Sequence, residues 1–218
     1  VGTMRVFVLS TGGCGSTTFA HACSHITNYT SGHETRAKRV QERLVYPDDH
    51  IEVDNRLSWF LGPLGQRYGD DPLYVHLTRE RSAVVASFLR RMVDTMEPDQ
   101  RLETTVSRLR QGRIAAGIME AFGHGVITRT ALYTAEDAAE VAGLYVDTVN
   151  ANIEYFLRDK PHTMAIDLAA GQQRFPEFWE RIGAVGDLDA AVSEYGTLHN
   201  ASEARPVPDA PPAPGHPG

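Results

Sequence analysis

Apolar positions along this chain alternate between two kinds of pattern. Short runs rich in β-branched residues occur at Arg5–Ser10, His50–Asp54, Leu73–Thr78 and Thr163–Asp167, each the length of a buried strand. A briefer β-prone run, Asn28-Tyr29-Thr30, follows the first helical segment. Between these runs the spacing predicts helices over Thr17–Ile26, Arg36–Leu44, Asn55–Gly65 and Ser82–Val93, the last opened by a serine suited to N-capping. Pro98–Phe122 reads as a long polar helix carrying Arg101, Arg108, Arg110 and Arg113 on a solvated face, ended by Gly123 and Gly125. From Ala135 to Leu157 the residues Val141, Leu144, Tyr145, Val149, Ile153 and Phe156 recur at helical spacing, the stripe of a core-facing helix. Phe175–Ile182 and Leu188–Tyr195 read as closing helices. Strands that alternate with helices pack as a parallel sheet flanked by helices, so the expected class is α/β.

The 218 residues fit one large domain, expected over residues 4–204. The Pro-rich stretch 205–218 cannot bury a core and reads as a disordered tail. Val1-Gly2-Thr3 reads as an addition ahead of a natural start at Met4. With 21 Lys and Arg against 28 Asp and Glu, the net charge is −7. That balance argues against a sequence-independent nucleic-acid binder, and any anion site must be local. No run of 18 apolar residues and no secretory signal is present, which points to a soluble cytoplasmic protein without a membrane partner. Two cysteines, Cys14 and Cys23, make no disulfide framework and read as free thiols. The nine histidines are scattered, with no His-Glu-x-x-His or paired Cys-x-x-Cys, so no metal is expected.

Chemistry concentrates in Arg5 to Thr18, where a β-type run leads into Gly12, Gly13, Cys14 and Gly15 and then Ser16, Thr17 and Thr18. A strand, glycine loop and helix start presents backbone N–H groups and a positive helix end to an anion, usually a phosphate. The loop carries no lysine, so it is not the Gly-Lys-Ser/Thr loop of a nucleoside-triphosphate kinase or ATPase. A second element supports the first. Arg79 stands at the carboxyl end of the run Leu73–Thr78, and Ser87 lies eight residues later in the following helix. In open α/β sheets ligands bind beyond the carboxyl ends of the strands, where an arginine and a helix hydroxyl form a compact clamp for a second phosphate.

Cys14-Gly15-Ser16-Thr17 together with Arg79 and Ser87 resembles the sulfotransferase family that uses 3′-phosphoadenosine-5′-phosphosulfate, above all its small bacterial members with a P-loop-like fold. The likeness extends loosely from Met4 to about Asn200. It implies that residues 12–18 hold the 5′-phosphosulfate, that Arg79 and Ser87 hold the 3′-phosphate, and that a sulfuryl group passes to a hydroxyl or amine of a small-molecule acceptor, leaving adenosine 3′,5′-bisphosphate. Gly13 departs from the pattern, because the family has a Lys or Arg there that contacts the transferring group. The departure admits three readings: a weakened enzyme, a cation supplied from elsewhere with Arg36 or Lys38 as replacements, or a nucleotide-binding protein of this fold with lost or altered transfer activity.

An attacking hydroxyl must lose a proton, so a base is required. The resemblance favours Glu34, with His33 as its neighbour and rival; the plainer readings are a helix N-terminal charge and a surface histidine. Asp54 and Asp167 end strands, where either a site residue or a helix cap is expected. Trp59, Phe60 and Leu61 line an acceptor pocket or the core, and Asn200 is a weak cofactor contact or an exposed turn.

Overall fold

The computed structural model describes residues 4–39, 41–93 and 135–197. The expected helix Pro98–Phe122, Asn200 and the stretch 205–218 lie outside the described residues. Five strands, β1 (Arg5–Leu9), β2 (Thr30–His33), β3 (His50–Val53), β4 (Leu73–Thr78) and β5 (Thr163–Asp167), form one sheet in the order β2-β3-β1-β4-β5. Every pairing is parallel. The helices are α1 (Ser16–Cys23), α2 (Leu61–Tyr68), α3 (Arg81–Val93), α4 (Ala135–Leu157), α5 (Gly171–Arg181) and α6 (Leu188–Ser193), and the architecture is α/β. No helix among the described residues is long and apolar enough to cross a membrane.

β1 reads Arg-Val-Phe-Val-Leu, and its last four residues are at most 1% exposed. A central parallel strand is covered on both faces, which is why its apolar residues run on instead of alternating. From β1 the chain moves outward through α1 to β2 and then back to β3; it then crosses β1 through α2 to reach β4. Right-handed crossovers in opposite directions put α1 and α2 on opposite faces. On the first face Phe19 of α1 meets Phe175 and Phe178 of α5 at ring separations of 5.4 and 5.1 Å. On the second, Phe7 packs on Tyr68 of α2, while Tyr74 of β4 meets Phe156 of α4 edge-on. The connections that leave the neighbouring strands β1 and β3 run in opposite directions, and in such sheets the usual ligand position is outside the carboxyl ends of the strands at that point.

Several sequence expectations are corrected. The polar run Thr30–His33 forms an edge strand, where only Asn28–Thr30 read as β-prone. The described residues at 36–38 and 41–44 form turns rather than the expected helix, tied down by Arg39 to Glu42 and Arg43 to Asp54. Asn55–Gly65 is a 3-10 turn over Asn55–Trp59 followed by α2, because the Asp54 carboxylate caps the turn by accepting from Arg56 N–H at 2.8 Å. Helix α3 is capped by the Glu80 carboxylate, which accepts from the N–H groups of Ser82 and Ala83 at 2.8 Å each, rather than by Ser82. Leu188–Tyr195 divides into α6 and a 3-10 turn at Glu194–Gly196. In α4 the stripe is buried at Val141, Tyr145, Val149 and Ile153, but Leu144 is 49% exposed.

Candidate functional site

All five strands end at one edge, and the residues that follow them build the site. After β1 the chain passes through Gly12, Gly13 and Gly15 with φ of +80°, +71° and +81°, a left-handed region that other residues enter at a cost. Gly15 is also closely approached, since a Cβ there would lie 2.4 Å from Leu168 Cδ1. One local bond and two tertiary bonds pin the loop. Gly12 N–H donates to Ser10 Oγ at 3.2 Å, Ser58 Oγ donates to Ser10 O at 3.0 Å, and the Tyr145 hydroxyl of α4 donates to Thr11 O at 2.8 Å.

Helix α1 starts from Gly15 without a side-chain cap and without an acidic residue in its first turn. Its first intrahelical bond runs from Phe19 N–H to Gly15 O at 2.9 Å, so the opening N–H groups of the helix are directed to the loop. Nothing in that turn neutralises the helix dipole, which favours an anion. Cys14 behaves otherwise. Its side chain is 2% exposed and its thiol pKa is raised by burial, so the loop offers a ligand the Cys14 backbone and keeps the sulfur inside.

Arg79, just beyond β4, donates from Nη1 to Gly13 O at 3.1 Å. Ser87, 7% exposed on α3, comes to the same glycine: a Cβ on Gly13 would lie 3.6 Å from Ser87 Oγ and 3.6 Å from Val84 Cγ1. The glycine loop, the arginine and the serine therefore meet at one point, although Gly13 and Ser87 are far apart in the chain. Parallel pairing of β4 beside β1 produces the meeting: Leu9, the last residue of β1, lies opposite His76, and β4 continues to Thr78 before Arg79.

On the other side of β1, His33 ends β2 and its Nε2 lies 3.2 Å from Ser16 Oγ at the head of α1. Glu34 follows with φ +55°, a strained conformation for a glutamate. It is held there by its own N–H on Val53 O at 3.0 Å and by Thr35, whose N–H donates to Glu52 Oε1 at 2.7 Å and whose hydroxyl donates to Glu52 Oε2 at 2.5 Å. Glu52 is completely buried on β3 and also contacts His50 Nε2 at 3.0 Å. The Glu34 carboxylate in turn faces Arg56, with Nη1 2.5 Å from Oε2.

Asp54 and Asp167 are caps. Asp54 is fully buried, accepts from Arg43 Nη2 at 2.7 Å and caps the following turn; burial, outweighing the Arg43 charge, raises its pKa. Asp167 accepts from Ala169 N–H at 2.9 Å and from the Thr78 hydroxyl at 3.2 Å. Of the two basic residues considered as replacements at Gly13, Arg36 pairs with Glu42 at 3.4 Å and Lys38 is exposed. Trp59 is 41% exposed with its ring 6.2 Å from that of Tyr145, while Phe60 lies beneath the Arg43 guanidinium.

Sequence reasoning passed over Arg56, Glu52 and Tyr145. Arg56 and Glu52 carried no motif, and Tyr145 read only as part of a core stripe. No protein-family model matches the chain, and a search among curated proteins found no significant match.

Proposed function

We propose that this chain is a sulfotransferase that binds 3′-phosphoadenosine-5′-phosphosulfate at the carboxyl edge of its sheet and transfers the sulfuryl group to a hydroxyl or amine of a small-molecule acceptor. The observation that carries this reading is the convergence on Gly13 of Arg79, through its 3.1 Å bond, and Ser87, through its 3.6 Å approach. The donor set suits a ligand phosphorylated at both ends. The left-handed loop and uncapped α1 supply N–H groups for the 5′ side, and Arg79 and Ser87 supply a guanidinium and a hydroxyl for the 3′-phosphate.

When bound, the nucleotide supplies a sulfuryl group that bonds to the acceptor atom as the sulfur–oxygen bond to the phosphate breaks, leaving adenosine 3′,5′-bisphosphate. Glu34 takes the acceptor's proton, and its strained backbone and its contact with Arg56 fix where that carboxylate stands. His33, in contact with Ser16, borders the same space. Trp59 offers the acceptor an exposed apolar wall beside Tyr145, whose hydroxyl braces the loop.

A titration and a transfer assay test the reading. Adenosine 3′,5′-bisphosphate should bind more tightly than ATP with magnesium, and the reverse order would point to a triphosphate-using enzyme. Sulfur-labelled co-substrate incubated with phenols, sugars and amines should yield a labelled acceptor. Tight nucleotide binding with no labelled product from any acceptor would favour a binding protein of this architecture, in line with a glycine at position 13.

A further inference from the structure

A nucleotide phosphorylated at both ends carries several negative charges, and backbone N–H groups and hydroxyls alone compensate them poorly. Arg79 provides one cation. The opposite side of the loop, where the 5′ end would lie against α1, has none in the loop sequence itself. Arg36 and Arg39 pair with Glu42, and Arg43 pairs with buried Asp54.

Arg56 follows β3, on the side of β1 opposite β4 and Arg79. It lies in the turn after β3, and its neighbour Asn55 presses on the loop so closely that a Cβ on Gly12 would sit 2.7 Å from Asn55 Nδ2. Its counter-ion is Glu34, the residue after His33, which touches Ser16. Through Asn55 on one side and Glu34 and His33 on the other, the segment that carries Arg56 adjoins both the glycine loop and the start of α1. The pairing with Glu34 is a close charge contact rather than an aligned hydrogen bond, since Nη1 is buried with no hydrogen-bond partner while the side chain as a whole keeps 17% exposure.

We propose that Arg56 is the second anion-binding cation of the site, contacting the 5′ side of the ligand opposite Arg79, with Glu34 holding it in place until the ligand arrives. A guanidinium so placed donates to peripheral oxygens of the transferring group, the atoms on which charge builds during transfer. The inference rests on the sulfotransferase reading for its ligand, and on the geometry around Gly12 and Glu34 for its place.

The test compares ligands that differ in which end is phosphorylated. Full-length protein and its Arg56→Ala and Arg56→Lys variants are titrated with adenosine 3′,5′-bisphosphate, adenosine 5′-monophosphate, adenosine 3′-monophosphate and inorganic pyrophosphate. Arg56→Ala should weaken the bisphosphate, the 5′-monophosphate and pyrophosphate by about tenfold to a hundredfold, the range for a bond to a charged group. It should leave the 3′-monophosphate within about threefold, a margin below half a decade. Arg56→Lys should recover part of the loss by restoring the charge. Should Arg56→Ala fail to fold, Arg56→Ala combined with Glu34→Ala removes the stranded carboxylate and gives the same comparison. Equal binding by wild type and variants, or equal loss at both monophosphates, overturns the assignment. If no nucleotide binds the wild type while pyrophosphate binds through Arg56, the sulfotransferase reading falls and the cation site stands. If pyrophosphate also fails to bind, both fall.

Discussion

Arg79 Nη1 donates to the carbonyl oxygen of Gly13 at 3.1 Å, across 66 residues of chain. The bond joins the end of β4 to a loop whose three glycines all occupy left-handed conformations. It fixes the direction of the Gly13 carbonyl, and with it the direction of the next N–H, while keeping a guanidinium beside the loop. Loop geometry and charge are therefore supplied by one side chain.

Replacing Arg79 with alanine should lower affinity for adenosine 3′,5′-bisphosphate by about tenfold to a hundredfold, because a charged donor is lost together with the loop brace. Affinity for adenosine 5′-monophosphate should fall much less. Arg79→Lys should recover little, because a lysine cannot span the Gly13 carbonyl and a phosphate with one rigid fork. Calorimetric titration reads each effect, and an unchanged bisphosphate affinity would remove Arg79 from the site.

Two alanine substitutions in the loop should differ in cost. Gly15→Ala combines a left-handed backbone with a Cβ 2.4 Å from Leu168 Cδ1, and should destabilise the fold by about 2–4 kcal/mol. Gly13→Ala meets only ordinary contacts at 3.6 Å, so the backbone term alone applies, at about 1–2 kcal/mol. Urea unfolding of the two variants checks the order, and equal losses would mean that Leu168 withdraws freely.

The parts of the fold legible in the sequence are those with local causes. β1 and β4 are buried on both faces and carry near-continuous apolar runs, β3 is buried throughout although His50 and Glu52 are polar, and β5, at the sheet edge, buries Met164 and Ile166 in alternation with Ala165, which is exposed. β2 has Thr-Ser-Gly-His and owes its pairing to the backbone of β3, a cause absent from its own residues. Arg36–Leu44 has helix-favouring residues, but long-range ties to Asp54 and Tyr68 hold the turn at 41–44. Within the site, Arg79 and Ser87 were visible because a strand end and one helix carry them at a fixed spacing. Arg56 was invisible because it gains meaning only when parallel pairing of β2 and β3 brings Glu34 to it. Glu52 resembled an ordinary polar position in a strand until the fold buried it under Thr35. Asp54 and Asp167 illustrate the converse, since a carboxylate at a strand end gives the same signal whether it caps a turn or serves a reaction.

Both cysteines should resist alkylation in the folded protein. Burial raises each thiol pKa, and the reactive thiolate is correspondingly scarce. A thiol-reactive chromophore should titrate no fast group under native conditions and two after denaturation. A single fast thiol protected by nucleotide would mean that Cys14 faces the ligand.

His76 makes stability depend on pH. Burial on β4 lowers its pKa below the ordinary 6.5, against the opposing effects of its bond to Asn150 and the charge of Glu154. The folded protein therefore binds that proton more weakly than the unfolded chain does. The stabilisation is fully present above about pH 6.5 and is lost as pH falls through that value towards the lowered folded pKa. His76→Gln keeps a donor for Asn150 Oδ1, 3.2 Å away, and cannot charge. Its urea midpoint should fall less than that of the wild type between about pH 7.5 and about pH 5.5, and parallel falls would assign the acid sensitivity elsewhere.

Glu34 and His33 stand side by side at the end of β2, and their contacts separate their roles. His33 Nε2 engages Ser16 Oγ, at the helix start that would hold the nucleotide, whereas Glu34 is braced by Val53, Thr35 and Glu52 and faces Arg56. A proton acceptor needs a fixed position near the acceptor hydroxyl, and Glu34 has the more constrained one. Glu34→Ala should therefore reduce kcat for sulfuryl transfer by about 10²–10⁴-fold, the usual contribution of a positioned base. Its affinity for adenosine 3′,5′-bisphosphate should stay the same or tighten, because the Arg56 charge is no longer shared with a carboxylate. His33→Ala should act mainly on KM for the co-substrate, through Ser16. A collapse of kcat in His33→Ala alongside near-normal turnover in Glu34→Ala would assign the proton to the histidine and leave Glu34 as the counter-ion of Arg56.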